Sequence, residues 1–484
     1  MNTQLRRVTA LAIVMFLALF AMVTFDQFVN AGALRANPHN ARTYYASFNK
    51  DRGPLIVAGE AIASSVPVDD DYGYQRTYAN GPVYAPVTGF YSVLLGMTGM
   101  EWAADEVLQG TADSLFLTRL QDLVTGKQPQ GGAVELTIDP AAQAAAWEGL
   151  GDQRGAVVAL DTDTGEILAM ASTPSYDPTV LAAHDTTEVQ KAYDALVADE
   201  GNPLWNRAIA GNLYAPGSTF KLITAAAALE SGEYTADSQL DAPTRLPLPD
   251  STAVLGNMGD SMCSGSGSMT MAQALAVSCN TAFASLGLDL GDEAIRAQAQ
   301  RFGFGATLSI PLPVTASVFP AHADRPQTAM AAIGQYDDRV TPLQMAMVVS
   351  AIAADGVLYT PHLIRTERGA NLEVVATTPV EVLATPLSRA SAEQLADMMV
   401  QVVENGTGGR AAIGGVRVGG KTGTAEKEEG KAPDNWFVAF GETEERSVAV
   451  AVVVEDGGKA GMRGTGGAVA GPIAREVMEA VLDR

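Results

Sequence analysis

The sequence predicts an α+β fold. Strand patterns near residue 160 precede a long helix-rich middle, and strand patterns return after residue 415. That order places the first and last strands in one sheet with helices packed on it. Ahead of this domain, residues 31–150 show only short mixed elements, and ahead of those stands one long apolar run.

The apolar run is the first element. Arg6 and Arg7 precede Val8–Phe25, 18 residues without a charge. As a helix this spans ~27 Å, about one bilayer core. Positive charge before it and Asp26 after it predict a cytoplasmic tail over 1–7, a signal-anchor over 8–28, and the remainder outside the cytoplasm. A cleaved signal peptide is the alternative, with Ala31-Gly32-Ala33 as the small-x-small site. Asn37–Arg42 reads as a polar linker.

Within 31–150, a mixed module of short elements with no catalytic cluster, Leu55–Val57 and Tyr74–Tyr78 read as short strands, and Trp102–Leu108 as a helix closed by Gly110. Val134–Ile138 reads as a strand, and Pro140–Leu150 as a helix with proline in its first turn. The domain over 151–484 opens with the hairpin GAVVALDTDTGEILAMAS: Ala156–Leu160, a turn at Asp161–Gly165, then Ile167–Ala171. Thr187–Ala198 is helical, and the helix from Ser218 to about Glu230 is apolar on nearly every side, which predicts burial. Thr270 and Gln273 form a capping box for Met271–Val277. Val416–Thr424, Asn435–Phe440 and Ser447–Val454 are strands, and Val469–Leu482 closes the chain as a helix.

A net charge of −24 over 484 residues, 47% of them apolar, provides a large core and no phosphate-neutralising surface, which argues against nucleic acid as a partner. The chain has eight lysines and four histidines. No histidine lies near Ser218 in YAPGSTFKLIT, so Lys221, three residues on, is the candidate base. The two share a helix face. A lysine base needs a depressed pKa, which burial and a second cation supply. Ser278-Cys279-Asn280 joins two helices and offers a hydroxyl for proton relay and an amide for substrate. Lys421-Thr422-Gly423-Thr424 lies on a strand whose lysine supplies the second cation and attracts a carboxylate. An extended peptide can pair along that edge, with the N–H groups of Thr424 and Ser218 facing an oxyanion. The bland readings are a helix cap for Ser278 and Asn280, and an edge-guarding lysine for Lys421.

Ser-x-x-Lys, Ser-x-Asn 60 residues later and Lys-Thr-Gly 143 residues beyond stand in the order of the penicillin-binding and serine β-lactamase set. With NPHNART, RGPLIVAGEAIASS, TGMEWAADEVLQG, STPSYDP, VTPLQMA and NWFVAF, the chain resembles, over nearly its whole length, a class B penicillin-binding protein of the actinobacterial A type. The resemblance implies a mainly antiparallel five-stranded sheet flanked by helices, with residues 31–150 as a non-catalytic pedestal. It also implies a D,D-transpeptidase that cross-links peptidoglycan stem peptides from a lipid-linked precursor, and that β-lactams inhibit. Ser218 would be acylated and Lys221 would be the base. Ser278 and Asn280 would line the site, and Lys421, Thr422 and Thr424 would hold the donor carboxylate. No cofactor or metal is implied. Cys279 departs from the frequent aspartate, and a bond to Cys263 would close a loop of 17 residues. About 120 residues are too few for a glycosyltransferase domain plus a pedestal, so a membrane glycosyltransferase partner is expected.

The sequence leaves three rival readings. Gly415–Thr422 also fits the nucleotide-binding G-x-x-x-x-G-K-T pattern, but a strand rather than a helix is expected at Lys421-Thr422. A serine hydrolase of the β-lactamase or D,D-carboxypeptidase kind would share the three motifs; a β-lactamase also needs a deacylating glutamate, for which Glu367–Asn371 is the nearest match. A non-enzymatic division-complex scaffold would keep the fold without the chemistry.

Overall fold

The computed structural model describes residues 2–25, 41–115, 130–211, 213–428 and 430–483. Asp26, the Ala31-Gly32-Ala33 triplet, the end of the anchor over 26–28 and most of the Asn37–Arg42 linker lie outside the described residues. Asn2–Thr24 is one helix. Its Gln4–Thr24 part is long and apolar enough to cross a membrane.

Two sheets organise the rest. The first has six strands in the order Val374–Thr377, Ile364–Arg368, Ala133–Leu136, Leu55–Val57, Glu60–Pro67, Tyr74–Tyr78. Ala133–Leu136 runs parallel to Leu55–Val57 and antiparallel to Ile364–Arg368. Two strands from the second half of the chain therefore complete the sheet of the first half. Behind it, Glu101 is fully buried and accepts from Arg52 Nε and Arg76 Nε, both at 2.7 Å. Its two partners keep that carboxylate charged and its pKa below the usual range, against the cost of burial. Trp102–Leu108, expected as one helix, is two short ones, Gly99–Ala103 and Asp105–Leu108.

The second sheet has five strands, all antiparallel, in the order Arg417–Ala425, Asp434–Glu442, Ser447–Val454, Gly155–Asp161, Ile167–Thr173. First and last strands of the domain do share it. Alternation sorts SVAVAVVV onto both faces: Val448, Val450 and Val452 join one core with Ala474 and Val477, while Ala449, Ala451 and Val453 join another with Leu222 and Phe283. Helices cover both faces, so the strand needs no polar side. Pro140–Leu150 and Gly466–Leu482 pack on one face. On the other, Pro342–Ala353 packs against the sheet, and the buried Lys221–Glu230 helix against Asn280–Arg301. Arg417–Ala425 is one edge strand and Ile167–Thr173 the other.

Candidate active site

Three separate stretches of chain meet at the Arg417–Ala425 edge. Ser218 does not open the α-helix, as its spacing suggests. It sits in a 3₁₀ turn, Gly217–Phe220, and the α-helix starts at Lys221. In a 3₁₀ turn, residues three apart eclipse. Ser218 Oγ and Lys221 Nζ are 3.0 Å apart. Gly217 has φ of +53° and lies against Thr424 and Ala425, and its N–H donates to Gly334 O at 3.0 Å. A side chain at Gly217 would be strained in that conformation and crowded.

Ser278 lies between Met271–Ala276, whose Thr270–Gln273 capping box is present, and Asn280–Arg301. It holds φ of +59°, the left-handed region that a non-glycine residue seldom adopts. The turn aims both oxygens at one lysine: Lys221 Nζ donates to Ser278 O at 2.8 Å and stands 3.3 Å from Ser278 Oγ. Asn280 Oδ1 accepts from Lys221 Nζ at 2.7 Å. Lys421 Nζ donates to Ser278 Oγ at 2.8 Å and to Thr422 O at 3.0 Å. The Ser278 hydroxyl thus bridges the two amines. Cys263 and Cys279 are disulfide-bonded, with Cα atoms 5.8 Å apart, tying this turn to the loop before it.

Both lysines are fully buried. Among the described residues no carboxylate bonds to either; their partners are hydroxyls, carbonyls and an amide. Burial first, and then the charge of Lys421, push the Lys221 pKa well below the ordinary lysine value. Burial pushes Lys421 down to about 7. A neutral Lys221 has two N–H bonds and one lone pair. Ser278 O and Asn280 Oδ1 can only accept, so they take both hydrogens. The lone pair is left for a hydroxyl, and Ser218 Oγ is the nearer one.

Thr422 Oγ1 pairs with Thr407 Oγ1 at 2.8 Å. Gly423 is wedged: a Cβ there would lie 2.8 Å from Trp436 Cβ, 2.9 Å from Thr219 Cγ2 and 3.1 Å from Pro216 O. Thr424 is half-buried, and its carbonyl accepts from Gln335 Nε2 at 3.0 Å. Sequence reasoning missed Gln335, Trp436, whose Nε1 donates to Ala215 O at 3.0 Å, and Asn257, which caps the Asn280 helix. Each acts through a backbone contact that leaves no spacing pattern. Among the described residues no cluster of three or more His, Cys, Asp or Glu side chains has metal-binding geometry.

Residues 155–479 match the penicillin binding protein transpeptidase domain. The chain belongs to the penicillin-binding protein transpeptidase family. Residues 52–134 match the penicillin binding protein A dimerisation domain. The chain is 43% identical to the peptidoglycan D,D-transpeptidase PbpA of Mycolicibacterium smegmatis, over 100% of this chain and 99% of that one. It is 39% identical to the PbpA of Mycobacterium tuberculosis over the same shares. The solved ceftriaxone acyl-enzyme complex of M. tuberculosis penicillin-binding protein A superposes with a TM-score of 0.87 at 40% identity, covering 90% of this chain and all of that one. In this penicillin-binding fold, the nucleotide-loop reading fails. Gly420-Lys421-Thr422 is mid-strand, paired with Ala439, Val438 and Phe437, and no helix starts there. Glu367 is in the six-stranded sheet and accepts from Ser114 Oγ at 2.8 Å, whereas Ser218 and its partners lie at the edge of the five-stranded sheet.

Proposed function

We propose that this chain is a peptidoglycan D,D-transpeptidase working through a Ser218 acyl-enzyme, with Lys221 as general base. The observation that carries the reading is the hydrogen-bond set of Lys221, which leaves its lone pair to Ser218. Ser218 Oγ attacks the carbonyl of the penultimate D-alanine of a donor stem while its proton passes to Lys221. The backbone N–H groups of Ser218 and Thr424 stabilise the oxyanion. The C–N bond breaks, and the departing D-alanine amine takes a proton delivered from Lys221 through the Ser278 hydroxyl. The acceptor amine then attacks the ester, gives its proton to Lys221 and restores the serine. Lys421, Thr422 and Thr424 hold the donor carboxylate, and Asn280 holds Lys221 and the substrate amide. A β-lactam enters the first half of the cycle and stays as an ester.

The relatives' names and the ceftriaxone, imipenem and penicillin G acyl-enzyme structures of the M. tuberculosis protein support this reading. Among the described residues no carboxylate bonds to either lysine, which argues against the glutamate-dependent deacylation of a β-lactamase. The cytoplasmic N-terminus, the extracytoplasmic position of the catalytic domain, its division from a pedestal near residue 150, and a membrane glycosyltransferase partner belong to the same proposal. The test is intact mass spectrometry of the detergent-solubilised full chain after benzylpenicillin, with the labelled peptide located. One adduct on Ser218, persisting for many minutes and abolished in a folded Lys221→Ala variant, is the expected result. Rapid turnover to penicilloate favours the hydrolase, and a Lys221→Ala variant acylated at the normal rate refutes the base.

A further inference from the structure

Helix Asn280–Arg301 begins without a cap of its own. Its N-cap residue is Cys279, whose side chain makes no capping bond, so the first backbone N–H groups need an outside acceptor. Asn257 is that acceptor. It lies 22 residues before Cys279 and six before Cys263, just ahead of the loop that the Cys263–Cys279 bond closes, and it is buried. Its Oδ1 accepts from Asn280 N at 2.9 Å and from Thr281 N at 3.1 Å. Its Nδ2 donates to Ser261 O at 3.2 Å and to Thr281 Oγ1 at 3.3 Å. Since Oδ1 takes two backbone N–H groups, the amide has one workable orientation. The neighbouring Gly256 O accepts from Asn280 Nδ2 at 3.4 Å. That contact turns the Asn280 oxygen toward Lys221.

We propose that Asn257 is a positioning residue for the acylation step: with the Gly256 carbonyl it fixes both the place and the rotation of the Asn280 amide, and so compels Lys221 to donate there and direct its lone pair at Ser218. The inference rests on the acyl-enzyme reading above. Rotated by half a turn, the Asn280 amide would present N–H to the lysine and compete with the serine for the lone pair. Among the described residues the charged group acting on Lys221 is Lys421, on the facing strand. A new charge at 257 would therefore enter a small electrostatic balance.

The experiment uses the detergent-solubilised full chain, a fluorescent penicillin, and Asn257→Ala and Asn257→Asp variants. Wild-type labelling of Ser218 is established first by mass spectrometry; its failure would count against the acyl-enzyme reading and not against Asn257 alone. Asn257→Ala is expected to slow acylation by roughly 10- to 100-fold. Asn257→Asp keeps an acceptor for both N–H groups and so preserves the cap if alanine does not fold. Its carboxylate favours the charged form of Lys221, so the acid limb of its pH–rate profile should move to higher pH. A merely structural role would lower the melting temperature and leave that limb in place. Acylation of Asn257→Ala within twofold of wild type, or an Asn257→Asp profile that overlays wild type, overturns the proposal.

Discussion

Lys421 is the residue whose charge is most open to experiment. Burial brings its pKa to about 7, and no carboxylate among its partners opposes the shift. A donor carboxylate would supply the missing partner, so binding should draw a proton onto Lys421. Acylation by an anionic penicillin should then weaken as pH rises above about 7, which a stopped-flow pH series would follow. The stability effect has the opposite direction. The unfolded chain holds the Lys421 proton up to the ordinary lysine range and the folded chain releases it near 7, so the unfolded state binds more protons in between. Stability should rise with pH through that window, and the penalty is full below 7. Lys421→Met removes this contribution. Its advantage over wild type in urea midpoint should be largest at pH 6 to 7 and shrink toward pH 10.

At the scale of elements, the edge strand and the 3₁₀ turn must touch. Gly423 makes that possible, since a Cβ would press on Trp436, Thr219 and Pro216 O. Overpacking of this kind costs about 1–3 kcal/mol. Gly423→Ala should therefore unfold at lower denaturant and also acylate more slowly, because the displaced strand carries Lys421 and Thr424. Unchanged acylation alongside lowered stability would separate strand position from chemistry. Most elements were legible in the sequence because their signals are local. Leu55–Val57, Tyr74–Tyr78 and Ser447–Val454 were read to the residue, and the Thr270–Gln273 capping box is present. Ile364–Arg368 was missed, since IRTER has polar residues that its pairing in a shared sheet explains, with Arg368 on Glu135 at 2.5 Å. The 3₁₀ start at Gly217 was missed too, because it arises from the contact of Gly217 with Thr424.

At the scale of the whole molecule, the six-stranded sheet joins the two halves of the chain. Removal of residues 41–138 would leave Ile364–Arg368 paired only with Val374–Thr377 and strip the partner of Arg368. An uncovered edge of this kind is an aggregation site. We expect the shortened chain to lose most of its soluble yield, measured as the fraction remaining in the supernatant, even though every residue of the Ser218 cleft is retained. A fully soluble product with normal penicillin labelling would show that the halves fold independently.

The sequence alone determined the chemistry: an alcohol and an amine three residues apart, a hydroxyl–amide pair, and a cationic strand, with the apolar helix that dehydrates the amine. It did so because residue type and short spacing are properties of the chain itself. Only the tertiary structure decided that Ser278 Oγ stands between Lys221 and Lys421, and that Asn257 accepts from the Asn280 backbone N–H. It also decided that two late strands finish an early sheet. Those contacts join residues 23 to 235 positions apart, and what selects them is the mutual burial of faces and the pairing of backbone groups once the whole chain has closed.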